Sequence, residues 1–183
     1  MRELSLNILD IAENSIAARA SVIDISLILR GVFLEVSVKD NGCGMSGEFL
    51  ARVTDPFTTT RTTRKVGVGI PFFKMAAEMT GGTFEIRSKK GEGTVVSAVF
   101  DIESVDFIPI GDIGGTMGAL IMHAPNTVFT LKIDVRGNVY EFDTMEIKDV
   151  LGDDVPIDGI EVINFIKNNI KENFDAVNGG IIP

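Results

Sequence analysis

The sequence predicts an α/β protein, because helical and strand-like patterns alternate along the chain. Between Glu3 and Ala18, apolar residues recur at the spacing of a helix with one buried face. Apolar and polar residues then alternate over residues 22–29 and 32–38, and Arg30-Gly31 between them predicts a β-hairpin. Hydrophobic residues form 45% of the 183 residues, which is enough to build a buried core.

The same alternation continues to the end of the chain. The predicted elements are, in order, a short helix over 46–53, a polar threonine-rich loop over 55–65, a helix over 70–79, hairpin strands over 83–88 and 94–102, hairpin strands over 128–135 and 139–142, and an amphipathic helix over 160–174. Residues 111–124 mix four glycines with apolar side chains and fit either a helix or a loop. This segment has no lysine, and its glycine spacing is not that of a phosphate-binding loop.

Acidic residues are concentrated in the second part of the chain. The net charge is −9; residues 1–103 carry 12 basic and 13 acidic side chains, whereas residues 104–183 carry 5 basic and 13 acidic ones. This change predicts a boundary near residues 101–106, between a domain over 1–103 and an acidic α+β extension over 104–183. The extension either continues the sheet of the first domain or forms a small second unit.

Composition also limits the expected partners and compartment. An acidic surface repels phosphate backbones, so nucleic acid is not an expected partner. No apolar run reaches the roughly 18 residues of a membrane span, and the first residues lack the apolar block of a signal peptide. The single cysteine cannot form an internal disulfide, which fits a reducing compartment. We therefore expect a cytoplasmic protein that does not bind a membrane.

Two glycine motifs predict a nucleotide-binding site. Asp40-Asn41-Gly42-Cys43-Gly44-Met45 ends an alternating apolar run, where a carboxylate can contact the edge of a ligand and glycines allow close approach of the backbone. Gly67-Val68-Gly69-Ile70 opens a predicted helix, whose free N–H groups can bind an anion. The first motif would bind a base and the second would hold phosphates.

Polar side chains also follow one face of the first predicted helix. Glu3, Asn7, Asp10 and Asn14 lie at intervals of three or four residues. One interpretation is a solvated face opposite the core. The other is functional, because an amide and a carboxylate one turn apart can hold a hydrated Mg²⁺ and position a water molecule. In that interpretation, Asn14 is the metal ligand and Asp10 is the catalytic base.

Five short motifs follow one another in a fixed order: Asp10-x-x-x-Asn14, Asp40-Asn41-Gly42-Cys43-Gly44, Asp55-Pro56-Phe57-Thr58-Thr59, Gly67-Val68-Gly69-Ile70 and Gly91-Glu92-Gly93-Thr94. They resemble the N, G1, F, G2 and G3 boxes of the GHKL superfamily, which includes gyrase B, heat-shock chaperone ATPases, histidine-kinase catalytic domains and MutL. The resemblance covers about residues 1–102. It implies a two-layer α/β sandwich of the Bergerat type, with a mixed sheet covered by helices on one face, and it implies ATP and Mg²⁺ as cofactors.

The resemblance also implies a role for each matching residue. The Asp40 carboxylate accepts a hydrogen bond from the adenine amino group, Asn14 binds Mg²⁺, and Asp10 stands at the position of the family's base. Thr94 supports Asp40, often through water. The other residues expected to contact ATP are Gly42, Gly44 and Met45 beside the base, Gly67, Val68, Gly69 and Ile70 at the phosphates, and Thr58, Thr59, Arg61, Arg64 and Lys65 in the ATP lid between the F and G2 boxes.

The function implied is that of an Mg·ATP-binding regulatory protein of the histidine-kinase-like type, acting in signal transduction. It would phosphorylate a protein partner, as the anti-sigma-factor serine kinases of this superfamily do, or a phosphoacceptor supplied in trans. The alternatives are a non-catalytic module gated by ATP and a MutL- or gyrase-like clamp ATPase, in which Lys132 is a formal candidate for the lysine at the γ-phosphate. The sequence leaves open whether the protein forms a homodimer. Asp10 is one methylene shorter than the family's usual glutamate, a departure that bears on hydrolysis and not on binding.

Overall fold

The computed structural model describes residues 3–54, 69–152 and 154–183 of the chain. Within these ranges the helices and strands are, in chain order, α1 (Leu4–Ala17), β1 (Val22–Arg30), β2 (Phe33–Asp40), α2 (Gly47–Leu50), α3 (Gly69–Met79), β3 (Thr83–Lys89), β4 (Gly93–Asp101), α4 (Ile113–His123), β5 (Val128–Val135), β6 (Asn138–Asp143), α5 (Thr144–Leu151) and α6 (Ile160–Asn178).

The six strands form one mixed sheet in the order β3-β4-β2-β1-β5-β6. Strands β1 and β5 are parallel, and every other neighbouring pair in this sheet is antiparallel. The three predicted hairpins, β1–β2, β3–β4 and β5–β6, are therefore all present. Strands β1 and β2 lie in the centre, so the end of β2 that carries the first glycine motif is supported on both sides.

One face of the sheet carries the hydrophobic core, and the other face is polar. The buried side chains of β1 alternate along the strand: Ile23, Ile25, Leu27 and Leu29. Helices α1, α3, α4 and α6 contribute to the same core cluster. On the opposite face, the Nζ of Lys39 lies 3.8 Å from the Oδ2 of Asp24. The prediction of a mixed sheet with helices on one face is confirmed.

The C-terminal residues extend this sheet. Strand β5 pairs with β1 in register, from Val22 opposite Val128 to Leu29 opposite Val135, and helix α4 contacts both α1 and α6. Of the two alternatives for the acidic extension, continuation of the sheet is the one observed. A functional division of the chain at residue 103 stays a prediction.

The glycine-rich segment after residue 110 belongs to helix α4. Asp112 caps this helix, since its Oδ1 accepts a hydrogen bond from the backbone N–H of Gly115 at 2.7 Å. A Cβ on Gly114 would lie 2.5 Å from the carbonyl oxygen of Lys167, and one on Gly118 would lie 2.9 Å from the Lys167 side chain. These glycines, one turn apart, allow α6 to approach α4 closely. The helical alternative is therefore correct for this segment.

Two C-terminal helices differ from the predicted elements. Helix α5 was absent from the prediction, because its eight residues give only about two turns of helical periodicity; Thr144 is its one buried residue. Helix α6 continues beyond residue 174 to Asn178, where Gly179 follows in the left-handed region with φ of 54°. At 19 residues α6 is the longest helix described, and no helix in the described ranges combines the length and apolar content of a membrane span.

Candidate functional site

A cleft of about 570 Å³ opens between α1, the end of β2, α2 and the first turn of α3. Its lining residues are Ile11, Asn14, Ser15, Ala17, Ala18, Asp40, Cys43, Gly44, Met45, Ser46, Phe49, Val53, Ile70, Lys90, Thr94 and Val96. Parts of the first helix, of both glycine motifs and of the β3–β4 hairpin thus meet at one place. Of the residues predicted to contact a nucleotide, the cleft brings together Asn14, Asp40, Gly44, Met45, Ile70 and Thr94.

Asp40 ends β2 with both carboxylate oxygens engaged. Its Oδ1 accepts a hydrogen bond from the Gly42 N–H at 2.8 Å, and its Oδ2 accepts one from Ser15 Oγ at 2.6 Å. Asp40 is only 8% exposed, and it lines the cleft. The two donors hold the carboxylate in one orientation, and the remaining lone pairs are free to accept a hydrogen bond from a ligand.

Sequence reasoning missed Ser15. It is 3% exposed and lies on the core face of α1, at i+4 from Ile11 and i+7 from Ile8. A polar residue at a core position of a helix is the signal that could have found it. Its partner Asp40 could not be inferred, because the contact depends on how α1 packs on β2.

Thr94 and Ser88 form a second polar group beside Asp40. Thr94 of β4 lies opposite Asp40 of β2, and Ser88 of β3 lies opposite Thr94. The Ser88 Oγ is 2.9 Å from Thr94 Oγ1 and accepts a hydrogen bond from the Met45 N–H at 2.8 Å. Ser88 of β3, Thr94 of β4 and the Met45 backbone, which follows β2, therefore share one hydrogen-bonded cluster at this end of the sheet. Ser88 was absent from the prediction.

The glycines of the first motif are needed for packing within the protein. Gly44 has a φ of 61°, and a Cβ on it would lie 2.0 Å from the carbonyl oxygen of Lys89. A Cβ on Gly42 would lie 2.9 Å from the Cβ of Ala18. The Gly91 N–H also donates to the carbonyl oxygen of Cys43 at 2.8 Å. The motif is thus held against α1 on one side and against the β3–β4 turn on the other.

Asn14 and Asp10 lie on the same face of α1 but in different surroundings. Asn14 lines the cleft, whereas Asp10 is not among its lining residues and packs against the start of α3. A Cβ on Gly69 would lie 2.6 Å from the Asp10 Cβ, so glycine there allows α3 to approach α1. Burial, followed by the negative charge of Glu13, raises the pKa of Asp10 above its usual value. Because Asn7 is 1% exposed, this polar face is not simply solvated.

Seven residues predicted at the phosphates or in the lid lie outside the described residues: Thr58, Thr59, Arg61, Arg64, Lys65, Gly67 and Val68. Their assignment stays a prediction. Among the lining residues described, Lys90 carries the one positive charge, and Phe49 and Val53 add an apolar wall that was not predicted.

Comparison with known proteins gives the relatives of this chain. Residues 1–104 match the model of the family described as histidine kinase-, DNA gyrase B- and HSP90-like ATPase. A Rickettsia conorii protein described as an NtrY-like sensor histidine kinase is 30% identical over 107 residues, which are 58% of this chain and 18% of that protein. The non-motile and phage-resistance protein of Caulobacter vibrioides is 36% identical over 81 residues, 42% of this chain and 10% of that one. The chain thus spans less than a fifth of either relative.

Solved structures with the same fold cover more of the chain. The Aquifex aeolicus MutL ATPase domain complexed with ADP superposes with a TM-score of 0.56 at 16% identity, covering 82% of this chain and 69% of that one. The N-terminal domain of a DNA repair protein superposes with a TM-score of 0.54 at 13% identity, covering 77% of this chain and 52% of that one. The shared fold therefore extends beyond residue 104, into β5 and β6 or the helices around them. Since the family model spans more than half of the chain, this protein belongs to the family of histidine kinase-, DNA gyrase B- and HSP90-like ATPases.

Proposed function

We propose that this protein binds Mg·ATP in the cleft and uses it for regulation, as a histidine-kinase-like domain that phosphorylates a protein partner or a phosphoacceptor in trans. The observation that carries the proposal is the anchored Asp40 carboxylate in the lining of the cleft. A carboxylate held by two protein donors is a fixed acceptor, and the adenine amino group is a donor of matching chemistry. The volume of about 570 Å³ is in the range of nucleotide-sized ligand sites.

A second group of lining residues suits phosphates and Mg²⁺. Ile70 lines it in the first turn of α3, where backbone N–H groups have no partner within the helix and the helix dipole favours an anion. The Asn14 side chain supplies an amide oxygen, a ligand type that Mg²⁺ accepts beside phosphate oxygens. Mg²⁺ bound with ATP would neutralise phosphate charge. Asn14 would hold and orient it, while α3 binds the phosphates.

The role of Asp10 distinguishes a protein that transfers phosphate from one that only binds ATP. A general base must come within hydrogen-bond reach of the hydroxyl or water that it activates. Asp10 is one turn from Asn14 but packs against Gly69 outside the cleft lining. This placement favours, as a second candidate, a non-catalytic module whose partner surface is gated by ATP.

The clamp-ATPase alternative gains no support from Lys132. This lysine lies on β5, and its Nζ donates to Glu141 Oε1 at 2.6 Å. It lies opposite Ser26 on the polar face of the sheet, away from the helices that line the cleft. Lys132 is therefore assigned a structural ion pair and not a phosphate contact.

Incubation of the full chain with ATP labelled on the γ-phosphate separates the candidates. Label on an added protein, reduced with the Asp40→Asn variant at ATP concentrations below saturation, supports a kinase, and release of free phosphate alone supports an ATPase. ATP binding with neither product supports the gated module. Absence of ATP binding at millimolar concentration contradicts all three.

A further inference from the structure

Strand β3 forms one edge of the sheet. It pairs with β4 from Thr83 to Lys89, and among the described residues no strand pairs with its other side. Alternate residues of an edge strand direct their N–H and C=O groups away from the sheet, where a further strand can bind them. Its seven residues are enough for a ladder of ordinary length. The free edge of β3 is therefore a candidate interaction surface.

The hydrophobic core reaches this edge and is only partly covered there. Phe84 and Ile86 of β3 pack against the core cluster, but both are only partly buried. The ring of Phe84 makes an edge-to-face contact with that of Phe73, with the centroids 6.4 Å apart. A strand added beside β3 would cover more of these two side chains, because residues opposite each other in a ladder are in contact. The edge thus offers apolar area as well as backbone groups.

The charges on the polar face of β3 complement one another when the strand pairs with a second copy of itself. Glu85 and Arg87 lie on this face, and their side chains are 60% and 71% exposed. In an antiparallel pair around a two-fold axis, the register that pairs all seven residues has Ile86 opposite itself. Glu85 then lies opposite Arg87 of the partner subunit, and this pair occurs twice in the dimer.

Other registers are less favourable for the same strand. A shift of one residue would turn the apolar and charged faces of the two strands to opposite sides. A shift of two residues would place either Glu85 opposite Glu85 of the partner subunit or Arg87 opposite Arg87 of the partner subunit. Charged side chains on an edge commonly prevent pairing. In the full register of β3 they attract instead.

The other edge strand, β6, lacks this property. It has six residues, so a pairing of the whole strand with a second copy would set Tyr140 opposite Glu141 of the partner subunit. These two side chains point to opposite faces, and the strand would have to slip. Helix α6 also contacts β6, where the Tyr140 hydroxyl donates to Asn169 Oδ1 at 2.8 Å. Of the two edges, β3 is the one that suits a second copy.

We infer that two copies of this chain associate through β3, in antiparallel pairing centred on Ile86, and so join their sheets into one. Backbone hydrogen bonds and the apolar contacts of Phe84 and Ile86 would supply the affinity, and the two pairs of Glu85 with Arg87 would fix the register. Residues 83–89 are not among those that line the cleft. The inference therefore does not depend on the proposed nucleotide binding.

Sedimentation velocity of the full chain over a range of concentrations tests this interface. The wild type should form a dimer, and salt should weaken it. Glu85→Arg and Arg87→Glu should each raise the dimer dissociation constant about tenfold or more, because both opposite-charge pairs become like-charge pairs. Glu35→Arg is the matched control. Glu35 is exposed on the polar face of the central strand β2, so this variant should dimerise like the wild type.

A mixture of the two edge variants gives the sharpest result. The Glu85→Arg protein carries two positive charges on the pairing residues and the Arg87→Glu protein carries two negative ones. Mixed together, they should form a heterodimer about as stable as the wild-type dimer. The double variant Glu85→Arg/Arg87→Glu exchanges the charges within one chain and should again form a homodimer. Melting curves show whether each variant is folded.

Three results would overturn the inference. One is a wild type that is still monomeric at about 1 mM. The second is a dimer whose dissociation constant neither single reversal changes, which would place the interface elsewhere on the molecule. The third is a failure of the two single variants to associate with each other when both are folded. None of these measurements uses ATP, so failure of this inference is distinguishable from failure of the proposed function.

Discussion

Asn14 and Asp10 share one face of α1, yet the structure separates their surroundings. Asn14 is at the cleft, where its amide can reach a ligand, and Asp10 is partly buried against Gly69. The family resemblance assigns both residues to the phosphates. At the scale of single residues, these two side chains therefore have separable effects: one on metal-dependent binding, and the other on turnover and stability.

The first prediction concerns the metal. Asn14→Ala should weaken ATP binding in the presence of Mg²⁺ and change it little in excess EDTA, because the lost oxygen is a metal ligand. Calorimetric titrations in both conditions measure this. Asn168→Ala, at an exposed position of α6, is the control for removal of an asparagine side chain. Equal loss of affinity with and without Mg²⁺ would instead indicate a role for Asn14 in folding.

The second prediction concerns the charge on Asp10. Because burial and Glu13 raise its pKa in the folded protein, the ionised carboxylate is less favourable there than in the unfolded chain. Its contribution to stability is therefore fullest below the usual pKa of about 3.9 and is lost as the pH rises. Asp10→Asn should raise the melting temperature at pH 7, and the gain should shrink as the pH falls toward that value. A gain independent of pH would contradict this cause.

The third prediction is the catalytic counterpart of the second. If Asp10 is a base, Asp10→Asn should keep ATP affinity while phosphate release or transfer falls about a hundredfold. Asp10→Glu restores the side-chain length usual in the family and should raise turnover if reach is limiting. If the wild type and both variants bind ATP with the same affinity and none of them turns it over, the gated module is the remaining function.

At the scale of elements, the crossing of α1 and α3 positions the cleft. Gly69 lies at the point of contact, where an added Cβ would be 2.6 Å from Asp10 Cβ. A Cβ on Gly47, at the start of α2, would meet nothing within 4 Å. Neither glycine has a positive φ, so alanine is compatible with the helical backbone at both positions.

The fourth prediction compares these two glycines. Alanine favours a helix over glycine by up to about 1 kcal/mol, so Gly47→Ala should be neutral or stabilising. Gly69→Ala should destabilise by about 1–3 kcal/mol through overpacking, and ATP affinity should fall because α1 and α3 are forced apart. Denaturant unfolding and calorimetry measure the two effects. Equal behaviour of both variants would show that the crossing tolerates a side chain.

Local patterns predict elements better than they predict contacts. Helix α1 and the three hairpins were predicted because their periodicity and turns are local in the sequence. Ser15 and Ser88 were missed because their site contacts join residues 25 and 43 positions apart, through packing and strand register. Helix α5 was missed because its eight residues give only about two turns of periodicity. The fold and the glycine motifs could thus be predicted from the sequence, whereas the hydrogen bonds of the site could be identified only in the structure.

At the scale of the whole molecule, the C-terminal extension supports the helix that carries Asn14. The N–H groups of Leu4 and Ser5, in the first turn of α1, donate to the carbonyl oxygens of Pro109 and Ile110 at 2.9 and 2.8 Å. Beyond the other end of α1, the Val128 N–H donates to the Ser21 carbonyl oxygen at 2.9 Å. The segment after residue 103 therefore contributes to the framework of the cleft, whatever further role it has.

The fifth prediction follows from this shared framework. The full chain should unfold in a single transition, with a midpoint that rises when ATP is added. A chain ending at Glu103 would leave the edge of β1 unpaired and remove the partners of α1, so no cooperative transition is expected. A truncated chain that melts cooperatively and binds ATP like the wild type would show that the two parts fold separately.

The most direct test of the central claim, that the cleft binds ATP through Asp40, is calorimetric titration of ATP into the wild type and into Asp40→Asn. The amide presents a donor where the adenine amino group requires an acceptor, so affinity should fall by about 1–3 kcal/mol, or roughly tenfold to a hundredfold. Asp24→Asn, on the polar face of the sheet, should bind like the wild type, and melting curves should show that all three proteins are folded. A dissociation constant for ATP that Asp40→Asn leaves unchanged would contradict the assignment of the site.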